Sequence, residues 1–393
     1  MMKTRFVIVG LLWAAASVCP VEVVAGKAHP GGRDDVSKFD PRIAADTAMA
    51  SADGMVWTDA AKLPMESKVC PDTETPFGRI PAAFAEKVPP PIRAMGRGST
   101  GHYFFLETDS PRIGVRWECE QKMQQDPYIP RQGMYGVDIY VRRADGWRFV
   151  KNGRLDGVRD EKTGAAAAWD ETRADLPGGG RRQVLVYLPI RAKLKWVRIG
   201  VVSGSKLAPA KRANGRVKPV VHYGTSLVHG GCASRPGLVF TALAARALDI
   251  PYVNLGFSGR AQLEPVLADV MAISDASLYV VDTVWNCDAD LIRERAEPFL
   301  KHLHSLRPDV PILLCEGPEA AGQRISRNDA LKGVYEALKS KGALDGKLHY
   351  LACDGMLPAD GEATHDFVHP NDYGSIQMGR VFAKRIAEVL KLK

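Results

Sequence analysis

Hydrophobic and polar positions follow a two-residue period over the first half of the chain. Between residues 54 and 202, short segments alternate apolar with polar residues and are rich in β-branched and aromatic side chains. Asp, Gly and Pro separate these segments, and Asp145-Gly146 is typical of a hairpin turn. The clearest segments are Gly101–Asp109, Arg112–Glu120, Gly136–Val150, Arg182–Ile190 and Lys195–Val202. Short antiparallel strands of this kind predict an all-β sandwich domain, which we place in residues 26–205.

The pattern changes at Pro219, where strand-like runs begin to alternate with helical patterns. The strand-like runs are Pro219–Gly224, Tyr252–Gly259, Ala276–Thr283, Val310–Pro318 and Lys347–Cys353. The helical patterns are Pro236–Leu248, Ala261–Ile273, Ala289–Leu306, Ile325–Ser340 and Asp372–Leu390. Five strands with helices between them predict an α/β domain over residues 219–393, with a parallel sheet covered on both faces. The basic segment Lys206–Lys218 is predicted to be a solvated linker between the two domains.

Residues that could take part in catalysis lie where the predicted parallel strands end. Ser226 follows the first strand, Gly256 belongs to the end of the second, and Asn286 follows the third. Asp366 and His369 lie between the fifth strand and the last helix. The carboxyl ends of parallel strands form one rim, at which ligands bind, so these five residues are expected to meet there.

Together the rim residues have the composition needed to hydrolyse an ester. A serine hydroxyl such as that of Ser226 needs a base, and His369 can accept its proton while Asp366 orients the imidazole. The oxyanion formed on attack needs donors, which the N–H groups of Ser226 and Gly256 and the amide of Asn286 could supply.

Taken alone, several of these residues have an ordinary structural explanation. Ser226 could be a turn residue or a helix N-cap, and His369 precedes Pro370 at the entry to a helix. The matching positions at strand ends, far apart in sequence, favour the catalytic interpretation. His222 and His365 are rival bases, but His222 belongs to a strand and His365 has the wrong spacing from Asp366.

Three further residues near the rim are candidates for contact with substrate. His229 lies in the same turn as Ser226 and could also serve as its base, although we predict that it shapes the pocket. Arg235 and Arg260 flank the rim and could bind a sugar hydroxyl or an acidic substrate. The simpler alternative is that both are surface arginines.

The four rim segments GTS, NLGFSG, WNCD and DFVHP resemble the conserved blocks of the SGNH (GDSL-type) hydrolases over about residues 219–393. The resemblance implies a flavodoxin-like three-layer fold, Ser226 as nucleophile, Asp366 and His369 as the acid–base pair, and Gly256 and Asn286 as oxyanion donors. The α/β-hydrolase alternative requires G-x-S-x-G, which is absent around Ser226.

The resemblance extends to the first half and also has departures. GVDIY at Gly136–Tyr140 is similar to the G-x-D-L-Y motif of the sandwich domain in one bacterial subfamily. Thr225 stands where the family usually has Asp before the serine, and Val284 and Cys287 replace a glycine and an aspartate around Asn286. The second departure makes the role of Asn286 less secure than that of Ser226.

The N-terminus has the three-part layout of a secretory signal peptide, predicted as residues 1–25. Lys3 and Arg5 precede an apolar run, and Val23-x-Ala25 offers a cleavage site. The mature protein is therefore expected to be exported to a periplasm or beyond, without an integral membrane segment. Cys19 lies in a poor acylation context, so lipoprotein anchoring is not expected.

Composition excludes several other classes of function. The net charge of +8 is modest for 393 residues, and no basic face with interleaved reading residues indicates nucleic-acid binding. The cysteines lack C-x-x-C spacing, so no metal site is predicted, and no cofactor is required by the chemistry. A bridge between Cys70 and Cys119 is compatible with export.

These inferences predict an exported serine esterase that removes small acyl groups, acetyl first among them, from a carbohydrate. No long apolar segment is apparent that would cover a fatty acyl chain. One alternative is an acyltransferase that passes the acyl group to a glycan hydroxyl. Another is a glycan-binding protein with a degenerate hydrolase domain. The sequence predicts neither the sugar nor the oligomeric state.

Overall fold

A computed structural model describes residues 54–120, 128–153, 169–320 and 325–392. The predicted signal peptide and Cys19 lie outside these residues. Within the described ranges, none of the helices combines the length and the apolar character that crossing a membrane requires.

Within the described residues, the N-terminal region contains nine short strands and two short α-helices. The strands are β1 (Met55–Asp59), β2 (Tyr103–Thr108), β3 (Arg112–Cys119), β4 (Asp138–Arg143), β5 (Gly146–Asn152), β6 (Asp170–Asp175), β7 (Arg182–Tyr187), β8 (Leu194–Val202) and β9 (Leu207–Pro209). The helices are α1 (Pro90–Gly96) and α2 (Arg131–Tyr135). The strands form two antiparallel sheets, ordered β1-β8-β3-β6 and β5-β4-β7-β2-β9, which confirms the predicted β-sandwich.

Alternation of apolar and polar residues places one face of each sandwich sheet in a shared core. Trp117 of β3 is fully buried there, and its indole N–H donates to the Tyr135 carbonyl at 2.7 Å. The predicted hairpin is formed by β4 and β5, with Gly146 at a φ of +120° immediately after the turn.

The segment predicted as a linker begins as part of the sandwich. Leu207–Pro209 forms β9 and pairs with β2, with Pro209 opposite Leu106. A three-residue edge strand is too short to show a two-residue period, which explains why the sequence pattern did not reveal it. The remaining residues connect β9 to the first parallel strand.

The C-terminal region is an α/β domain with a five-stranded, entirely parallel sheet, as predicted. Its strands are β10 (Val220–Gly224), β11 (Tyr252–Gly256), β12 (Leu278–Asp282), β13 (Ile312–Cys315) and β14 (Leu348–Leu351). Its helices are α3 (Phe240–Leu248), α4 (Pro265–Ala272), α5 (Ala289–Leu306), α6 (Ser326–Ser340) and α7 (Asp372–Val389). The strand order is β11-β10-β12-β13-β14. Helices α3 and α7 pack together on one face, and α4, α5 and α6 cover the other.

The N-terminal region contributes directly to the packing of this α/β domain. Ile80, Val88 and Ile92 belong to the same hydrophobic cluster as strands β10 and β11. A second cluster joins Tyr140 and other side chains of β2, β4 and β7 to residues at the start of α3. The two regions therefore share buried apolar surface, and burial of this kind stabilises their association.

Candidate active site

Three predicted residues meet at the carboxyl edge of the parallel sheet. Ser226 lies in the turn after β10, and its Oγ is 2.8 Å from Nε2 of His369. Nδ1 of the same imidazole is 2.8 Å from Oδ2 of Asp366. Because strand β10 and the segment before α7 end at the same edge, residues 143 positions apart in sequence come into hydrogen-bond contact.

The three-residue spacing of Asp366 and His369 follows from a turn that the carboxylate itself closes. Oδ1 of Asp366 accepts hydrogen bonds from the backbone N–H groups of His369 at 2.7 Å and Val368 at 3.1 Å. This leaves Oδ2 directed at the imidazole ring. One carboxylate thus holds both the backbone and the side chain of His369.

These contacts keep Asp366 ionised. Burial by itself would raise the pKa of its carboxyl, but the hydrogen bonds from the backbone and ring of His369, and from the Val368 N–H, outweigh burial and lower the pKa. An ionised carboxylate can only accept, so Nδ1 of His369 carries the proton. In the neutral imidazole, Nε2 then presents its lone pair to the Ser226 hydroxyl, as a general base must.

The three predicted oxyanion donors differ in how they are engaged. The Ser226 N–H has no hydrogen-bond acceptor within the described part of the chain. The Asn286 amide donates one hydrogen to the Phe257 carbonyl at 3.0 Å, which leaves its second hydrogen for another acceptor. The Gly256 N–H donates to Oδ1 of Asn254 at 2.9 Å, so an oxyanion would have to share it. The donor role of Gly256 stays a prediction.

Gly256 is required for a reason that the sequence did not show. A Cβ at this position would lie 2.2 Å from the backbone nitrogen of His229 and 2.5 Å from the carbonyl carbon of Val228. The missing side chain therefore lets the end of β11 lie against the turn that carries Ser226.

His229 lies beneath the rim, between side chains of the two regions. Its side chain is buried, with 2% of the residue surface exposed. Nε2 lies 3.0 Å from Nη2 of Arg79, and Nδ1 lies 3.0 Å from Oγ of Ser258. Because arginine can only donate, Nε2 accepts and Nδ1 carries the proton. Burial, reinforced by the charges of Arg79 and Arg191, lowers the pKa of His229 well below its usual value, so the ring is a neutral structural element rather than a substrate contact.

The other two rival histidines are also engaged away from the Ser226 hydroxyl. His222 is fully buried in β10, and its Nδ1 is 2.9 Å from the Tyr252 hydroxyl. Burial lowers the pKa of His222 below its usual value. The ring of His365 stacks on Tyr128 with 5.7 Å between ring centroids, and its backbone N–H donates to the His369 carbonyl.

Arg235 is held by the sandwich, and its predicted contact with substrate stays a prediction. Its Nη1 donates to Oδ2 of buried Asp138 at 2.8 Å and to the Tyr140 hydroxyl at 2.6 Å. The guanidinium also lies 3.9 Å from the centroid of the Phe149 ring. Arg260, by contrast, is exposed in the turn after β11. A contact between Arg260 and substrate stays a prediction.

Sequence reasoning missed three residues that organise the site from below, Arg79, Asn254 and Ser258. Asn254 donates to the Val228 carbonyl at 2.6 Å and accepts from Gly256, so it joins the Ser226 turn to β11. A polar residue inside the apolar run YVNLG is the signal that could have identified Asn254. No sequence pattern marks Arg79, because its partners come from another region of the chain.

Two predictions about metals and disulfides can be compared with the described residues. Among them, no group of three His, Cys, Asp or Glu side chains could hold a metal ion. Cys70 is a free thiol that donates to the Asp72 carbonyl at 3.2 Å, so the bridge to Cys119 considered from the sequence is not formed.

Comparison with known families identifies both regions. Residues 217–387 match the GDSL-like lipase/acylhydrolase family, and residues 55–207 match the GxDLY domain that forms the N-terminus of SGNH-hydrolase-type esterases. The two regions therefore match, in order, the N-terminal GxDLY domain and the GDSL-like hydrolase domain of SGNH-type esterases. No curated protein matches the chain in sequence.

Solved structures resemble the chain over nearly its whole length. A GDSL-like lipase from Bacteroides ovatus is 27% identical, with a TM-score of 0.76 over 86% of this chain and 99% of that one. The salicylyl-acyltransferase SsfX3 from a tetracycline biosynthetic pathway is 19% identical, with a TM-score of 0.64 over 92% and 99%. A family two carbohydrate esterase from Clostridium thermocellum, solved with cellohexaose, is 12% identical, with a TM-score of 0.56 over 86% and 99%. The last two show a shared fold.

Proposed function

We propose that this protein is an exported serine esterase that removes small acyl groups, acetyl first among them, from carbohydrates. The observation that carries the proposal is the continuous hydrogen-bonded chain from the Ser226 hydroxyl through His369 to Asp366. The family is one of esterases, and the carbohydrate esterase among the similar structures supports a glycan substrate. Export is inferred from the N-terminal sequence pattern alone.

The geometry supports a two-step acyl transfer without a cofactor. Nε2 of His369 takes the proton of the Ser226 hydroxyl as Oγ attacks the ester carbonyl, and Asp366 stabilises the imidazolium that forms. The Ser226 N–H and the second hydrogen of the Asn286 amide would stabilise the negative charge of the tetrahedral intermediate. The imidazolium then protonates the departing sugar alkoxide, which leaves an acyl-enzyme. Water deprotonated by His369 attacks this ester and releases the carboxylic acid and Ser226.

Removal of the nucleophile tests the chemistry directly. We expect Ser226→Ala to lower kcat for p-nitrophenyl acetate by at least about a thousandfold, because the residual rate then rests on binding and oxyanion stabilisation alone. Ser305→Ala is a matched control, since its hydroxyl donates within α5 to the His302 carbonyl. A phosphonate ester should add one phosphonyl group to the wild type and none to Ser226→Ala. Unchanged turnover in Ser226→Ala would overturn the assignment.

The acyl group and substrate class require a second experiment. We expect the ratio kcat/KM to fall from p-nitrophenyl acetate to the butyrate and octanoate esters. We also expect free acetate to be released from acetylated polysaccharides but not from their deacetylated forms. A preference for octanoate would contradict the proposed acetyl specificity and would leave the serine chemistry standing.

A second candidate function is transfer of the acyl group to an acceptor other than water. The fold shared with the salicylyl-acyltransferase favours this candidate, because the same acyl-enzyme serves both reactions. Incubation with an acetyl ester and an excess of a sugar acceptor separates the two. Acetylated sugar as the main product would identify a transferase, and free acetate alone would identify a hydrolase.

A further inference from the structure

Arg79 belongs to the N-terminal region, yet its guanidinium lies beneath the rim of the α/β domain. The residue has 1% of its surface exposed. On its own side, Nε donates to the Gly98 carbonyl at 3.2 Å and Nη2 to the Met95 carbonyl at 2.8 Å. On the other side, Nη1 donates to the Gly256 carbonyl at 2.7 Å, and Nη2 is 3.0 Å from Nε2 of His229. The planar guanidinium thus bridges two regions of the chain.

One of the bridged groups is the peptide that joins Gly256 to Phe257. Arg79 donates to the carbonyl of this peptide, and the N–H of the peptide, which belongs to Phe257, donates to the Gly224 carbonyl at 2.8 Å. The guanidinium carbon also lies 4.8 Å from the centroid of the Phe257 ring. The peptide at the end of β11 is therefore fixed from both sides, and the Asn286 amide is bonded to the next carbonyl, that of Phe257.

The other bridged group belongs to the turn that carries the nucleophile. His229 lies three residues after Ser226, and its backbone N–H donates to the Thr225 carbonyl at 2.9 Å. Its imidazole is held between Arg79 and Ser258. Because the turn is closed through His229, the side chain of Arg79 restrains the orientation of the Ser226 backbone.

The energetics of Arg79 indicate that stability alone does not explain it. Among the described residues, no carboxylate lies within ion-pair distance of Arg79, so its buried charge is offset only by carbonyls, an imidazole and a ring face. Burying a charge without an opposite charge is costly, whereas a rim held in a preorganised geometry lowers the barrier to reaction in a water-excluded site.

We propose that Arg79 is a positioning residue of the active site, through which the N-terminal region holds the Ser226 turn and the end of β11 in the geometry that receives the oxyanion. This inference rests on the proposed esterase function. It gives the GxDLY-bearing region a part in catalysis besides its contribution to packing. Arg79 acts through Gly256 and His229 and does not itself contact the reacting atoms.

Arg79→Lys in the full chain tests the proposal. A lysine keeps the charge but cannot bond several acceptors with one planar fork, so the rim should lose its fixed geometry. We expect kcat for p-nitrophenyl acetate to fall about 10- to 100-fold, the range of losing part of an oxyanion interaction, with KM changed less than about threefold. Affinity for a boronic acid that forms a tetrahedral adduct with Ser226 should fall in parallel with kcat/KM.

Arg246→Lys is the matched control. Arg246 lies in α3, donates to the Gly237 carbonyl at 2.6 Å and packs 4.2 Å from the Tyr140 ring centroid, so it bridges the same two regions away from the rim. We expect this variant to lose stability and to keep the wild-type kcat. Equal kcat in Arg79→Lys, Arg246→Lys and wild type would overturn the proposal and show that both arginines only stabilise packing.

A second pair of variants keeps the test decisive if Arg79→Lys does not fold. His229→Gln retains an acceptor for Arg79, whereas His229→Leu does not. The proposal expects His229→Leu to lower kcat with little change in KM and His229→Gln to recover most of it; equal kcat in the two variants contradicts the proposal. An inactive wild type that fails to react with the phosphonate would instead contradict the proposed esterase function.

Discussion

Two of the buried polar contacts between the N-terminal region and the α/β domain are built in opposite ways. At one, Asp138 of the GVDIY motif is supplied by the sandwich and receives Arg235 and the Gly237 N–H, each at 2.8 Å. Its other oxygen accepts from Asn152 at 2.7 Å. At the other contact, Arg79 is the charge supplied by the N-terminal region, and its acceptors are neutral.

The difference between the two contacts shows how a buried charge can serve two purposes. The Asp138 contact pairs opposite charges and satisfies both carboxylate oxygens, which is the arrangement expected of a contact that holds two regions together. The Arg79 contact leaves its charge uncompensated and lies directly below the rim. We interpret the Asp138 contact as one that stabilises the fold. We interpret the Arg79 contact as part of the active site, with its destabilising effect offset by the rest of the structure.

Asp138→Ala should give the largest loss of stability. It leaves Arg235 without its carboxylate and the Gly237 N–H without an acceptor, so we expect the free energy of unfolding to fall by about 3 kcal/mol. Urea denaturation at pH 7 measures this change. The kcat of the folded fraction should stay within about twofold of wild type, and a kcat loss as large as that of Arg79→Lys would erase the distinction between the two contacts.

Two glycine substitutions sharpen the same comparison. A Cβ at Gly256 would meet backbone atoms of the Ser226 turn at 2.2 Å, whereas a Cβ at Gly237 would meet the terminal hydroxyl of Tyr140 at 2.4 Å. Overpacking costs about 1–3 kcal/mol in each case, but only Gly256→Ala displaces the rim. Gly256→Ala should therefore lower kcat at least about tenfold, whereas Gly237→Ala should keep the wild-type kcat. Initial rates on matched amounts of folded protein measure both. Similar rates in both variants would argue against the close approach at Gly256 as a requirement for activity.

Acid should lower the free energy of unfolding, because the surroundings of Arg79 contain buried neutral imidazoles. His102 donates from Nε2 to the carbonyl of Gly78, next to Arg79, and burial lowers the pKa of His102 from 6.5 to about 3. Between these values the unfolded chain binds a proton that the folded chain does not. The contribution of His102 to the free energy of unfolding is therefore fully present above pH 6.5. It falls by about 1.4 kcal/mol per pH unit as the pH is lowered below that value.

His102→Gln removes this proton linkage while retaining hydrogen-bonding groups. Urea denaturation at pH 7, 6 and 5 should show a shallower loss of stability in His102→Gln than in wild type. Parallel curves for the two proteins would mean that His102 is protonated in the folded state and that the burial argument fails.

Lys218→Ala should have the smallest effect. Lys218 in the basic connecting segment forms an exposed ion pair with Asp275 at 2.9 Å, and exposed pairs contribute less than about 1 kcal/mol. Denaturation midpoints of the variant and wild type should agree closely in 150 mM salt. A loss comparable to that of Asp138→Ala would show that the connecting segment, and not the two buried contacts, joins the regions.

Local pattern was sufficient for the fold class of each region and for grouping three candidate site residues. The two-residue period before Val202 and the alternating pattern after Pro219 follow from which side chains a strand or helix must bury, and burial acts on each segment separately. The sequence groups Ser226, Asp366 and His369 because parallel strands bring their carboxyl ends to one edge. Asp366 and His369 are also close in sequence, so their contact is nearly local.

Tertiary structure alone decided which buried polar groups pair with each other. Arg235, predicted to contact substrate, pairs with Asp138, 97 positions away, and His229, also predicted to do so, accepts a hydrogen bond from Arg79, 150 positions away. No hydrophobic period records such pairs, because each depends on the docking of one region against another. The sequence by itself determined the two fold classes and the rim at which Ser226, Asp366 and His369 were predicted to meet. Only the folded chain determined that an arginine of the N-terminal region lies beneath that rim, since a buried charge must find its acceptors wherever packing places them.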